Sequence, residues 1–232
     1  MSERGVLRIS EIFESIQGEG VSAGSPSIFV RLASCNLRCA WCDTRYTWDW
    51  AAYEYEKEVR RVEVSAVADR LAASAAPHVV ITGGEPLLQQ TALAELLSRL
   101  PAARHVEVET NGTIAPIVEL VRRVDQWNVS PKLANSGEPR DRRIFPESLA
   151  ALLGTERAWL KLVIASTTDM DEARALVEEL AWPLERVLLM PEAASREALA
   201  DRQPMVLRLA EAHGLRVSPR LHVERWSGQR GV

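Results

Sequence analysis

The segment Cys35-Asn36-Leu37-Arg38-Cys39-Ala40-Trp41-Cys42 has the spacing C-x3-C-x2-C and holds all three cysteines of the chain. An odd number of cysteines confined to one stretch argues against a disulfide framework and for metal or redox chemistry. A structural zinc site needs a fourth ligand, and the nearest histidine, His78, lies a strand and a helix away. A four-iron cluster on three thiolates is a better match, because three irons are satisfied and the fourth stays open for a substrate or cofactor to chelate. Cysteines set among Asn36, Arg38 and Asp43 also make poor small hydrophobes.

Other motifs carry weaker signals. In Thr82-Gly83-Gly84-Glu85-Pro86 the two glycines permit close backbone approach to a ligand and Glu85 offers an acceptor for an ammonium group; an ordinary turn with a solvated Glu is the alternative. Ser130-Pro131-Lys132 and Glu109-Thr110-Asn111-Gly112 read equally well as plain turns. Gln17-Gly18-Glu19-Gly20 is either a flexible polar loop or an amide and a carboxylate presented to a guanine-like heterocycle. Arg31, on a strand, is a surface residue or an inward fork that grips a carboxylate bidentately.

The elements that must position these residues show in the apolar pattern. Strands are predicted at Ser27 to Ala33, His78 to Thr82, His105 to Glu109, Trp127 to Ser130, Trp159 to Ile164, Arg186 to Met190 and Leu215 to Ser218. Between them Val64, Val67, Ala68 and Leu71 form one helical stripe, Leu93, Leu96, Leu97 and Leu100 a second, and Ala173, Leu176, Val177 and Leu180 a third. Strand alternating with helix predicts an α/β fold with a largely parallel sheet, in one domain spanning 1–232. The length of 232 residues is short for a full eight-fold barrel, so a partial (β/α)6-type barrel of about six strands is expected. Tyr46 to Arg61 breaks the alternation and reads as an irregular insertion or short helix. The short motifs follow strands, so one mouth at the C-terminal strand ends should gather them.

Composition excludes several function classes. The chain is 47% hydrophobic and 26% charged, with 12 glycines and 12 prolines, which is a folded globular protein and not a low-complexity one. A net charge of -4 gives no field for a nucleic-acid backbone, and a small substrate is the better expectation. Met1 to Ser10 lacks the apolar core of a signal peptide, and no window approaches a membrane helix, so a cytoplasmic protein is expected.

The three-cysteine loop after a strand resembles the radical S-adenosylmethionine superfamily. That resemblance implies an open iron that binds the amino and carboxylate groups of S-adenosylmethionine, and a reduced cluster that splits the sulfonium into methionine and a 5′-deoxyadenosyl radical. The Gly-Gly-Glu turn then resembles the clamp at the methionine end.

Within the superfamily the chain is similar, nearly end to end, to the 7-carboxy-7-deazaguanine synthase family. The likeness runs through Glu11-Ile12-Phe13-Glu14-Ser15-Ile16-Gln17-Gly18-Glu19-Gly20, Arg31, Asp43-Thr44-Arg45-Tyr46-Thr47-Trp48, and the C-terminal Arg220-Leu221-His222, Trp226-Ser227-Gly228 and Arg230-Gly231-Val232. It implies conversion of 6-carboxy-5,6,7,8-tetrahydropterin to 7-carboxy-7-deazaguanine, a ring contraction with loss of ammonia on the path to 7-deazapurines such as queuosine. By resemblance Cys35, Cys39 and Cys42 hold a 4Fe-4S cluster, and Trp41, Asp43, Gly84, Glu85, Ser130, Pro131 and Lys132 line the S-adenosylmethionine site. Ile16, Gln17, Gly18, Arg31, Thr82 and His222 contact the pterin, and Thr44 is a magnesium ligand. A single Thr suffices, because a hard ion can complete its shell with waters and substrate oxygens. The resemblance also implies a homodimer and an electron donor such as flavodoxin or ferredoxin. Trp48 to Val62, rich in Glu and Arg, matches no pattern of the family. The rival readings are a superfamily member that activates a glycyl-radical protein and, from other classes, an iron–sulfur electron carrier or a zinc-stabilised binding module. A carrier normally uses four thiolates.

Overall fold

Strand residues alternate between two very different environments. In β2 (Pro26–Leu32), Ile28, Val30 and Leu32 join the hydrophobic core while Phe29 and Arg31 face a cavity. The same division recurs in β4 (His78–Gly83), with Val79 and Ile81 in the core and Thr82 on the cavity, and in β5 (His105–Thr110), with Val106 and Val108 in the core. β6 (Gln126–Val129) buries Trp127 and Val129, β7 (Ala158–Ile164) buries Leu160, Leu162 and Ile164, and β8 (Val187–Pro191) buries Val187 and Leu189. A period of two thus separates an apolar outer face from an inner face that carries the polar residues.

The computed structural model describes residues 5–232; residues 1–4 of the expected domain, and of the N-terminus read as leaderless, lie outside the described residues. With β1 (Val6–Ile16), β3 (Arg60–Glu63) and β9 (Arg216–Val217) the strands form one nine-stranded sheet of order β3-β1-β2-β4-β5-β6-β7-β8-β9. From β2 to β9 every pairing is parallel, whereas β1 runs antiparallel to both β2 and β3. β3 and β9 are the two ends of the order, so the sheet is open, as a partial barrel requires.

Helices follow the strands, and most of them pack against the apolar face. They are α1 (Tyr55–Glu58), α2 (Val64–Ala72), α3 (Gln90–Ser98), α4 (Val118–Arg123), α5 (Arg140–Arg143), α6 (Pro146–Leu153), α7 (Asp169–Glu179), α8 (Arg196–His213) and α9 (Leu221–Trp226). The three predicted stripes face the core: Val64, Val67 and Leu71 from α2, Leu93, Leu96 and Leu97 from α3, and Ala173, Leu176 and Val177 from α7. Each fully buried valine or leucine among them contributes about 1.5–3 kcal/mol.

Two strands escape the sequence pattern, and both have a physical reason. β1 has a register irregularity between Ile9 and Glu11 that shifts its alternation midway. β3 is an edge strand, Arg60-Arg61-Val62-Glu63, with three charged residues out of four, as suits an edge that must resist further pairing. Tyr46 to Arg61, expected to be irregular or a short helix, contains the end of a short 3-10 turn, α1 and the start of β3. The cysteine loop therefore follows the second strand of the chain, not the first. No helix among the described residues is long and apolar enough to cross a membrane.

Candidate active site

The cysteine loop leaves β2 through a strained residue. Ser34 has φ +79 and donates its N–H to Thr47 O at 2.6 Å. The Gly-Gly pair at the end of β4 lies directly against this exit: Gly84 N–H donates to Leu32 O at 3.0 Å and Glu85 N–H to Ser34 O at 2.9 Å. A Cβ on Gly83 would stand 2.1 Å from Leu32 O, and one on Gly84 would stand 2.1 Å from Ser34 O and 3.0 Å from the Cys35 Cβ. The glycines are thus required for the backbone of β4 to carry the cysteine loop.

All three cysteines are free and border one cavity. Cys35 Sγ receives the Leu37 N–H at 3.5 Å, and Cys42 Sγ receives the Trp48 indole N–H at 3.3 Å. Burial pushes the Cys35 thiol up to about 12, with Glu85 and the other two thiols acting in the same direction; burial also raises Cys39, against the pull of Lys132. A bound metal centre is what makes such thiols thiolates. Three soft donors with N–H groups aimed at two of the sulfurs fit an iron–sulfur cluster with one open iron.

The cavity has a volume of about 250 Å³ and is bordered at the C-terminal strand ends by Gly83, Gly84, Thr110, Asn111, Ser130, Lys132, Val163 and Met190. Of the residues expected for cofactor and substrate, Ile16, Gln17, Gly18, Arg31, Trp41, Asp43, Thr44, Thr82, Gly84, Ser130, Lys132 and His222 all border it, whereas Glu85 and Pro131 do not. Glu85 is a correction to the expected ammonium acceptor. Its carboxylate is fully buried and turned inward, accepting from Leu87 N–H at 2.9 Å, the Thr110 hydroxyl at 2.8 Å and Asn111 N–H at 2.7 Å, so it ties the loops after β4 and β5 together. Lys132 hydrogen-bonds the Ser130 hydroxyl at 3.1 Å and lies 5.5 Å from the Trp41 ring centre.

Gln17 borders the cavity and also ties its own loop together. Its side-chain amide donates to Glu107 and Glu109, the latter at 3.1 Å, and its carbonyl accepts Glu19 N–H at 3.1 Å. Its backbone is engaged too, the N–H with Ser25 O at 2.8 Å and the carbonyl with Gly24 N–H at 2.7 Å, so Gln17 shapes the loop at the cavity wall. Gly18 belongs to the same fit, since a Cβ there would strike His222 Nδ1 at 2.2 Å.

Charge along the cavity is arranged in two clusters. Glu19 pairs with Lys161, with Arg220 Nε at 3.2 Å and with His222 Nε2 at 3.6 Å. Burial pushes Glu19 up, yet Lys161 and Arg220, with His222 behind them, hold it well below the usual carboxylate range. Arg220 also reaches Asp43 at 2.6 Å and keeps that carboxyl low against its burial. Burial, with Arg220 in the same direction and against the pull of Glu19, lowers the His222 imidazole. In the second cluster Arg31 Nε–H donates to Glu11 at 2.8 Å and the Tyr46 hydroxyl donates to the same oxygen at 2.8 Å. The terminal nitrogens of Arg31 have no protein hydrogen-bond partner among the described residues, and they belong to a side chain on the cavity wall.

Several residues of this constellation escaped the sequence reading as functional candidates. Glu107 accepts from Gln17, Ser22 and Asn128, and burial together with Glu109 pushes it up to about 7. Two carboxylates at i and i+2 of a central parallel strand, and Lys161 inside the apolar run of β7, break the apolar rule for such strands and were the signals available. Glu11 and Tyr46 offered no comparable signal.

The family model for the radical SAM superfamily matches residues 30–153, a span from β2 through the cysteine loop to α6. Open parallel sheet, three-thiolate loop and family model together define a radical SAM protein. A curated 7-carboxy-7-deazaguanine synthase from Pyrobaculum aerophilum is 42% identical over 232 residues, all of both chains, and one from Halobacterium salinarum is 40% identical over 95% of this chain and 91% of its own. The crystal structure of QueE from Escherichia coli is 27% identical, covers 94% of this chain and 95% of its own, and superposes with a TM-score of 0.68. The chain belongs to the 7-carboxy-7-deazaguanine synthase family.

Proposed function

We propose that the chain converts 6-carboxy-5,6,7,8-tetrahydropterin to 7-carboxy-7-deazaguanine with loss of ammonia, in the supply of 7-deazapurines such as queuosine. The observation that carries the reading is one cavity bordered by both the three free cysteines and the unshared fork of Arg31. Cys35, Cys39 and Cys42 hold the 4Fe-4S cluster, and Trp41, Asp43, Gly84, Ser130 and Lys132 border the S-adenosylmethionine, with Glu85 and Pro131 setting the loops behind them. When bound, cluster and S-adenosylmethionine supply the one-electron chemistry that removes a substrate hydrogen.

The chain's own residues bind and orient. Arg31 takes the substrate carboxylate with its terminal nitrogens while Glu11 fixes its Nε. Ile16, Gln17 and Gly18 line the pterin edge, Thr82 and the imidazole of His222 offer hydrogen bonds, and Phe13 and Phe29, stacked at 4.9 Å, give the wall an apolar face that excludes water. Thr44, whose hydroxyl stands 3.6 Å from Cys42 Sγ, is the residue that would hold magnesium, a hard ion that binds oxygen donors. The chain acts as a single domain over 1–232, as a cytoplasmic homodimer reduced by a flavodoxin or ferredoxin.

Anaerobic reconstitution tests the class: the spectrum of the reduced cluster should change on adding S-adenosylmethionine, and an indifferent spectrum would return the chain to the electron carriers. Cys35→Ala, Cys39→Ala and Cys42→Ala should each lose the cluster. Thr44→Ala should slow pterin turnover more than it weakens cofactor binding, with partial rescue by added magnesium; a rate flat across a magnesium titration would remove the metal from the reaction.

A further inference from the structure

At the end of the barrel opposite the cysteine loop, His78 and His105 open β4 and β5 and stand directly across from each other in the parallel register. The five residue steps from His78 to Gly83 separate this end from the cysteine loop by about 16 Å of strand. The two imidazoles lie 4.5 Å apart, tilted by 37°. Glu107 follows His105 by two residues and so projects from the same face, and one ligand atom from each of the three side chains lies within 4.8 Å of the others.

A second observation concerns hydrogen bonds. His78 Nδ1 and His105 Nε2 are both buried without a hydrogen-bond partner, whereas Glu107 beside them accepts from Gln17 and Asn128 on one oxygen and from Ser22 alone on the other, which keeps capacity for a ligand bond. Buried polar atoms of native proteins are normally satisfied, and protonating both rings would place two like charges in contact. A single cation meets both lone pairs at once.

We propose that His78, His105 and Glu107 bind a divalent transition-metal ion of the zinc type at the floor of the barrel. Two imidazoles and a carboxylate suit zinc and its first-row neighbours and not the hard ions magnesium and calcium, which take oxygen shells. The ion is distinct from the cluster and from the magnesium assigned to Thr44. Its role is structural and runs through Glu107, because the carboxylate that ligates the ion also holds Gln17 and Ser22. Both lie in the connection from β1 to β2, so the metal braces the loop that borders the cavity from below.

Zinc is the probe, and the cluster-loaded enzyme is used so that the cysteines are occupied. The expected result is one zinc per chain retained through gel filtration, with an X-ray absorption spectrum of nitrogen and oxygen ligands including imidazole and no sulfur shell. His78→Ala and His105→Ala should each weaken zinc affinity by about tenfold or more, since loss even of an outer-shell partner costs about 10–100-fold, while iron content stays at the wild-type level. No retained zinc, sulfur in its first shell, or equal retention in both variants would overturn the site. The wild-type absorption spectrum decides the matter even where a variant folds poorly.

Discussion

Glu19 meets three groups at once, and its partners on the other side are committed too, Arg220 to Asp43 and Lys161 to burial in the barrel. Removing its charge takes the ion-pair partner from buried Lys161 while Arg220 keeps Asp43, so Glu19→Gln should cost about 3–5 kcal/mol at neutral pH. Its native pKa lies below the ordinary 4.5, so the unfolded chain takes up the proton first as the pH falls. The stability it contributes is complete above about pH 4.5 and lost on further acidification. Urea midpoints followed from about pH 6 to pH 3 should show a shallower acid limb in the variant than in the wild type, and identical limbs would refute the assignment. Arg31 is a cleaner probe of binding, because Glu11 keeps Tyr46 and Arg230 when Arg31 is gone. A charge-assisted bond is worth about 1.5–3 kcal/mol, so Arg31→Ala should weaken pterin affinity about 10–100-fold while S-adenosylmethionine is still cleaved. An unchanged affinity would move the carboxylate elsewhere. At this scale the cysteines were legible because spacing alone excludes most of their other uses. The side-chain role of Gln17 was not, because only the fold brings Glu107 and Glu109 to its amide.

The strands and helices were legible wherever one face met the core, since a period of 2 or 3.6 is imposed by burial and by nothing else. β1 and β3 lacked that imprint, the first through its irregular register and the second through its edge position. The Gly83-Gly84 pair was recognised as a close-approach motif, but the approaching partner proved to be the backbone at Leu32 and Ser34 in addition to any ligand. Gly84→Ala should therefore act on the cysteine loop through the strand that supports it. Overpacking of this kind costs about 1–3 kcal/mol, and iron content after reconstitution should fall while far-ultraviolet circular dichroism keeps the native shape. Full cluster loading would show that the loop does not depend on the close approach.

Across the whole molecule, the cavity draws on residues from Phe13 to Val232. The C-terminal residues return to the first strand, where Arg230 lies 3.6 Å from the Tyr46 ring centre and pairs with Glu58 at 2.7 Å and Glu11 at 3.3 Å. Such closure is invisible to periodicity, since no local pattern says that Arg230 and Glu11 meet. A net charge of -4 and an inner face that concentrates its charge around one small cavity suit a small anionic substrate held by specific cations, not a polyanion held by a field. The most direct test supplies the reduced, cluster-loaded enzyme anaerobically with S-adenosylmethionine and 6-carboxy-5,6,7,8-tetrahydropterin and follows the products by mass spectrometry. The expected result is 7-carboxy-7-deazaguanine accompanied by ammonia; cleavage of S-adenosylmethionine with the pterin left intact would contradict the proposed substrate.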